Sequence, residues 1–561
     1  MADDMDGAFA TSAAATLDGL LERQPEWATG VGDHRYDDRL TVGTAAHYEE
    51  ASRWAGDRLA ELAGIDAANL SPQYQVDAQI LANQLTRLRF MIDELREHEW
   101  NPMVANPGRA IYNLLARDFA PLPDRLRSAS QRLAMLPEAL AAARSVLGAM
   151  PEIHIETALT QFAGTERLIT GELTRRAAEV NGGEADLAAV LPQALEALAA
   201  HTRWLEERLA SGRREGFRDP RIGTELFSRK LRLVLDTELP VDQILARAEA
   251  DLARMTEELN VAAAEFLAGR PGPARDEKDV VRAALDLLAA DAPDDDTILG
   301  FVRAAYTAQR DFVTAHDLVT VFDDPLEVIP MPEIDRGVAV AYCDSPGPLE
   351  TAALPTFIAV SPAPEDWTQE RVRSFYREYN RHMIHNIMVH EAMPGHAVQL
   401  QHSRRFSGAT SVRAAWRSGS FVEGWAVYAE QVMNAHGYPG EGNPAALRTQ
   451  RLKGKLRTLI NAIMDTRVHC LGMTEVEAME LMTCAGYQEE GEAAGKWRRV
   501  LLTSTQLSTY YVGFLEVDGL AAGLRRKHPD WPERQLHDAM LAYASPPVRH
   551  LRTLLGVGPA G

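Results

Sequence analysis

The chain has 561 residues, 46% hydrophobic and 25% charged, the make-up of a soluble globular protein with one large core or two to four domains. With 80 acidic against 58 basic residues, its formal charge is −22, which argues against a nucleic-acid backbone or an anionic membrane as partner, because both need basic patches. Three scattered cysteines, Cys343, Cys470 and Cys484, form no CxxC pair and are odd in number, so the expectation is reduced thiols rather than a disulfide framework.

The opening stretch MADDMDGAFATSAAATLDGL has neither the basic start nor the apolar run of a secretory signal, and no apolar stretch reaches the roughly 18 residues of a membrane helix. A cytoplasmic protein is expected. Helical periodicity dominates the first 310 or so residues. Leu133, Leu136, Leu140 and Leu147 keep one face apolar, as do Leu191, Leu195, Leu198, Leu205 and Leu209. Breaks are predicted at Asn101 to Pro107, Pro121 to Asp124, Gly182-Gly183 and Gly269 to Pro273, and a loop at Asp291 to Thr297 whose acids cap the next helix.

The texture changes near residue 318. Leu318 to Phe322, Leu326 to Ile329, Gly337 to Cys343 and Thr356 to Val360 are short and bounded by Pro, Gly or Asp, and read as strands of a small sheet. Helical texture resumes near Gln369. The chain thus divides into a helical region, 1–317, expected to cover a cleft, and a catalytic region, 318–561, within one mainly α fold.

Residues 390 to 396 read His-Glu-Ala-Met-Pro-Gly-His. Two imidazoles and a carboxylate this close are the donor inventory of a hydrolytic zinc site, but the usual spacing places the second histidine four residues after the first. Six positions leave His390 and His396 about 120° apart on a straight helix. Pro394 ends or kinks that helix and Gly395 frees the next backbone angles, so the turn is predicted to swing His396 back towards His390. Glu391 then stands where a general base belongs.

A third ligand is expected from the helix SFVEGWAVYAE, from either Glu423 or Glu430, the other orienting a histidine. Glu423 is favoured because Gly424 would leave space beside it. His382 and His385 read as structural histidines. Further on, Tyr510 is a candidate donor to a developing oxyanion, with Tyr511 read as core. Asp465 and His469, four apart, form a candidate carboxylate–imidazole couple, with His469 near the chemistry. Arg499, about three helical turns before Tyr510, is a candidate holder of a substrate carboxylate. Thr356 begins a strand that, if at the sheet edge behind Pro355, would bind an extended peptide; an ordinary core strand is the equal alternative.

Taken together, several spaced segments resemble the bacterial family known as domain of unknown function 885. These are Pro25-Glu26, Gly32 to Leu40, His390-Glu391-x-x-Pro394-Gly395-His396-x-x-Gln399, Glu423-Gly424-Trp425-Ala426-x-Tyr428-x-Glu430, Asp465-x-x-x-His469, and Arg499, Gln506, Tyr510 and Gly513. The resemblance implies a large helical, zincin-like metallopeptidase fold with its small sheet beside the active-site helix. It implies one zinc ion held by His390, His396 and Glu423, with Glu391 as base, and it brings Gln399 into the surroundings of the site. The expected activity is hydrolysis of amide bonds in short peptides or modified amino acids. The rivals are an iron enzyme that activates oxygen on the same ligands and a non-catalytic binding protein.

Overall fold

The computed structural model describes residues 2–268, 270, 280–332, 340–364 and 367–558. It is mainly helical with one three-stranded sheet, and none of the described helices is long and apolar enough to cross a membrane. The chain forms two compact units. One comprises Met1–Ile222 with two short returns, Pro346–Leu354 and Gly408–Ala415; the other comprises Gly223–Ser345, Pro355–Ser407 and Trp416–Gly561.

In the first unit, the leucine stripes form the core as their spacing predicts. Leu133, Leu136, Leu140 and Leu147 from Leu122–Val146 and its end are buried with Leu198 and Leu205 from Gly183–Glu215. The returns are fastened by buried polar contacts. Arg413 Nε donates to Asp77 Oδ1 at 2.6 Å with both side chains fully buried, and Leu349 N donates to Val31 O at 2.8 Å.

The second unit begins at Gly223, not near 317. Gly223–Leu235 and Val241–Leu267 pack on the long helix Pro444–Leu471, so they belong to the same unit as the His-Glu segment. The change of texture near 318 marks where strands begin; it carries no record of which core a preceding helix faces. The loop before Ile298–Ala315 forms as predicted, with Asp294 Oδ1 accepting from Thr297 N at 2.9 Å.

Strand β1 is Leu326–Pro330, β2 is Ala341–Asp344 and β3 is Thr356–Val360, in the order β1-β3-β2. β3 runs parallel to β1 and antiparallel to β2, with Thr356 opposite Leu326 and Cys343 opposite Ile358. Residues 337–339 of the strand predicted to end at Cys343 lie outside the described residues, as do Gly269 and 271–273 of the predicted break. Leu318 to Phe322 is not a strand. Its backbone is satisfied elsewhere: Asp538 accepts from Thr320 N at 2.9 Å, His402 bonds Thr320 O at 2.8 Å, and His537 bonds Leu318 O at 2.6 Å. With those groups taken, no ladder is left to form.

Candidate metal centre

The helix Arg381–Glu391 is capped by Asn380, whose side chain accepts from Met383 N at 3.2 Å. Met383, Ile384, Met388 and Val389 anchor it in the core. It ends as the Pro-Gly pair predicts. Met393 N donates back to Met388 O at 3.2 Å and Gly395 N to Val389 O at 3.0 Å, the Met393–Pro394 peptide is cis, and a new helix, His396–Arg404, starts at once. A Cβ on Gly395 would collide with the carbonyl oxygens of Val389 and His390, so only glycine lets the chain turn this close to the helix end. The turn brings the two imidazoles together, with ring centroids 4.7 Å apart and planes at 85°.

Glu423 comes from Gly419–Ala435, capped by Ser418, whose hydroxyl accepts from Phe421 N at 3.3 Å. Its Oε2 lies 3.2 Å from His390 Nε2 and 3.5 Å from His396 Nε2. His390, Glu391 and His396 also present donor atoms within 4.8 Å of one another. Glu423 and Glu430 face different nitrogens of the His390 ring. Glu430 Oε1 bonds His390 Nδ1 at 2.9 Å, and its other oxygen accepts from Asn386 Nδ2 at 2.8 Å. Glu430 therefore orients the ring from behind while Glu423 faces the point where both Nε2 atoms converge.

Gly424 is not open space. A Cβ there would strike the backbone of Gly513, and one on Gly513 would strike Ser420 O. The pair lets Gly419–Ala435 and Thr509–Lys527 approach backbone to backbone, and this close crossing sets Tyr510 beside the cluster. Its ring centroid lies 6.4 Å from that of His390, and its hydroxyl accepts from Arg499 at 3.3 Å. Trp425, one residue after Gly424, donates its indole N–H to Pro394 O at 2.9 Å and so pins the turn between the histidines.

Glu391 is held by the sheet: its Oε2 accepts from Cys343 N of β2 at 2.9 Å. Burial pushes its carboxyl above the ordinary range, against the pull of both imidazoles. Burial would also raise Glu423, but hydrogen bonds from His390 and His396 hold it far below the carboxylate range. Burial opposes charge on His390, yet Glu423, Glu430 and Glu391 together hold its imidazolium well above the ordinary value. The Tyr510 phenol is raised by burial and by Glu423.

Other expected residues have different surroundings. Asp465 and His469 do not pair through a hydrogen bond. Asp465 accepts from Thr505 N at 3.0 Å, Ser508 N at 2.9 Å and Ser508 Oγ at 2.7 Å. His469 bonds Val500 O and Thr503 O, both at 2.9 Å, and stacks on Phe227. Its partners place it in a clamp on the segment leading to Tyr510, and none is a residue of the His390 cluster. That segment carries Thr505 at φ +67, a position a β-branched residue holds only when fixed from outside.

Gln399, fully buried, donates to Ser545 Oγ and so ties His396–Arg404 to residue 545. Thr356 sits on the central strand, 1% exposed, with its N–H on Pro325 O; flanked by β1 and β2, it cannot receive an added strand. His385 is buried between Glu441 at 2.7 Å and the Tyr438 hydroxyl at 3.0 Å, as the structural reading has it, and Tyr511 is core, with its hydroxyl on Asp251. Asn386, Trp425 and the Cys343 amide were not given roles by the sequence. Asn386 had a usable signal, standing four residues before His390 on the same helical face; the backbone amide had none.

The donor set and its spacing fit a metal ion. Ligands at about 2.0–2.1 Å in a tetrahedron stand about 3.4 Å apart, the interval that the two Glu423 separations bracket. Two imidazole lone pairs facing one carboxylate oxygen repel unless protons or a cation stand between them.

Solved structures that share the fold include two described as putative lipoproteins. A putative lipoprotein of unknown function from Shewanella oneidensis is 28% identical, with a TM-score of 0.83 over 98% of this chain and 99% of that one. A putative lipoprotein from Colwellia psychrerythraea, 16% identical, has a TM-score of 0.81 over the same shares and supports the fold alone. No curated protein matches the chain. Residues 25–555 match the family described as bacterial protein of unknown function (DUF885), and with nearly its whole length inside that match the chain belongs to this family.

Proposed function

We propose that this chain is a zinc-dependent, zincin-like hydrolase of amide bonds, acting on short peptides or modified amino acids. What carries the reading is the convergence of His390 Nε2 and His396 Nε2 on one oxygen of Glu423, at 3.2 and 3.5 Å. Zinc held by these three residues would polarise the substrate carbonyl and acidify an attacking water. Glu430 holds His390 so that Nε2 faces inward. Glu391, fixed at one oxygen by the Cys343 amide, has its other oxygen to take the proton from the water and return it to the leaving amine. The Tyr510 hydroxyl would donate a hydrogen bond to the oxyanion that develops on the carbonyl, keeping its proton, and Arg499, bonded to its oxygen, strengthens that donor.

The test is metal analysis of protein prepared without chelators, coupled to amide hydrolysis by wild type and Glu391→Gln. About one zinc per chain, retained in the variant while turnover is lost, supports the reading; absence of stoichiometric metal sinks it. Two imidazoles and one carboxylate are also the ligand set of non-haem iron oxygenases, which gives a second reading. Stoichiometric iron with oxygen-dependent turnover would favour it. A cytoplasmic location belongs to the same proposal and is checked by cell fractionation, because the Shewanella relative is described as a putative lipoprotein.

A further inference from the structure

Beside the His390 cluster, Pro444–Leu471 and Glu490–Leu502 bring three cations together, and Lys496 and Arg499 stand three apart on one face of the second helix. Arg457, Lys496 and Arg499 lie close enough for both arginines to act on the lysine's charge. The nearby carboxylates are mostly committed. Glu378 takes Lys453 at 2.8 Å and Glu489 N at 3.2 Å, and Glu430 takes His390 and Asn386. Arg457 is compensated, because Glu492, Glu378 and Glu430 all favour its charge; Glu492 also lies 3.6 Å from Lys496 Nζ and accepts from the Tyr379 hydroxyl at 3.0 Å. The hydrogen bond of Arg499 goes to a neutral group, the Tyr510 hydroxyl.

Lys496 and Arg499 sit in a chain of net charge −22, and the Lys496 side chain is only 10% exposed. Burial, and then repulsion from Arg457 and Arg499 working against Glu492, pushes the Lys496 ammonium down to about 8. Uncompensated, partly buried cations are costly, and an arriving anion relieves them. A guanidinium fork next to an ammonium suits a carboxylate in particular. Tyr510 links this group to the metal centre, since Arg499 bonds its hydroxyl and its ring lies 6.4 Å from that of His390. At about 3.5 Å per extended residue, a carboxylate bound here lies roughly one or two residues from the bond being cleaved.

We propose that Lys496 and Arg499 form a subsite for a substrate carboxylate, which makes the preferred substrates short peptides or acylated amino acids with a free carboxyl end close to the scissile amide. The inference rests on the hydrolase reading for what is cleaved, but not for what is bound.

The two are separated with a matched pair of probes, N-acetyl-alanyl-alanine and its carboxamide. Calorimetry on Glu391→Gln reads binding, and turnover by wild type reads hydrolysis. The acid should bind at least about tenfold tighter than the amide, the size of one charge-assisted contact. Lys496→Gln and Arg499→Gln, each placed in the Glu391→Gln background, should both shrink that preference, and the comparison of probes on the parent protein does not depend on either variant folding. Equal binding of acid and amide, no binding of either, or a preference that survives both substitutions would overturn the subsite. Preferential binding of the acid with no hydrolysis of any amide keeps the subsite and sinks the hydrolase. Hydrolysis of both probes with equal kcat/KM does the reverse.

Discussion

Two histidines in this molecule, His34 in the first unit and His390 in the second, are each held between two carboxylates. His34 Nδ1 meets Asp37 and its Nε2 meets Glu350, both at 2.9 Å; His390 Nδ1 meets Glu430 at 2.9 Å and its Nε2 meets Glu423 at 3.2 Å. Up to this point the inventories match. The His34 ring, however, lies flat on Phe119, 3.8 Å between centroids, and each of its carboxylates faces a single imidazole nitrogen. Protonated once more, such a ring satisfies both partners. At His390 the Glu423 oxygen faces a second imidazole, His396, at 3.5 Å. There a single cation can replace the protons of both rings at once. An imidazole between acids is thus a structural clamp as readily as a metal ligand, and the shared oxygen is the feature on which the proposal for His390 rests.

The largest effects should come from breaking the His390 side of this pair. Glu391→Gln should cut amide turnover by about 10²–10⁴-fold, the usual contribution of a general base, with metal content unchanged by plasma emission analysis. A matching loss of metal would instead place Glu391 among the ligands, as its position within 4.8 Å of both histidine donor atoms allows. His396→Ala should abolish stoichiometric metal binding, whereas His34→Ala should leave it unchanged; equal metal content in wild type and His396→Ala would break the distinction drawn above. Glu430→Gln keeps the hydrogen-bonding shape but loses the charge behind His390, and should weaken metal affinity about 10–100-fold in a chelator competition. Stripping the metal should also lower the unfolding temperature, by the equivalent of about 3 kcal/mol when free metal had stood at 100 times its dissociation constant.

Much of the site was legible because its constraints are local. Pro394 and Gly395 act on the backbone within the very segment that carries both histidines, so the turn could be read from hydrogen-bonding capacity and sterics. The stripe Leu133, Leu136, Leu140 is local in the same sense. What depended on distant partners was harder to read. β3, with Pro355 before it, could be read equally as an edge or as a core strand, and it is β1 and β2, arriving from elsewhere in the chain, that make it central. Gly424 looked like free space, but whether a glycine opens a gap or admits a backbone depends on Gly513, 89 positions on. Asp465 and His469 stand four apart on one helix, but Ser508, Thr505 and the carbonyls of Val500 and Thr503 outcompete any mutual bond. Spacing along a helix shows which groups share a face; it leaves open which distant partners will reach them.

The smallest effect expected lies on the His34 side and concerns pH. Burial opposes the charge on His34, but its hydrogen bonds to Asp37 and Glu350 raise its pKa above the ordinary 6.5. A group whose pKa is raised by folding binds its proton more tightly in the native state, so its stabilisation is complete below the unfolded value and is lost as pH climbs through the folded one. Wild type should therefore exceed His34→Gln in unfolding temperature most at mildly acid pH, and the gap should narrow as pH rises past the folded pKa. Because His34 keeps 28% of its side chain exposed, its two charge-assisted bonds should contribute only about 1 kcal/mol, or about 2–4 °C for a unit of this size. Glu350→Gln should remove part of the same slope by taking away one of the two acids that hold the proton. A gap that is flat with pH, or that widens towards alkaline pH, would show that His34 is held neutral, as a packing group against Phe119 rather than as a charged clamp.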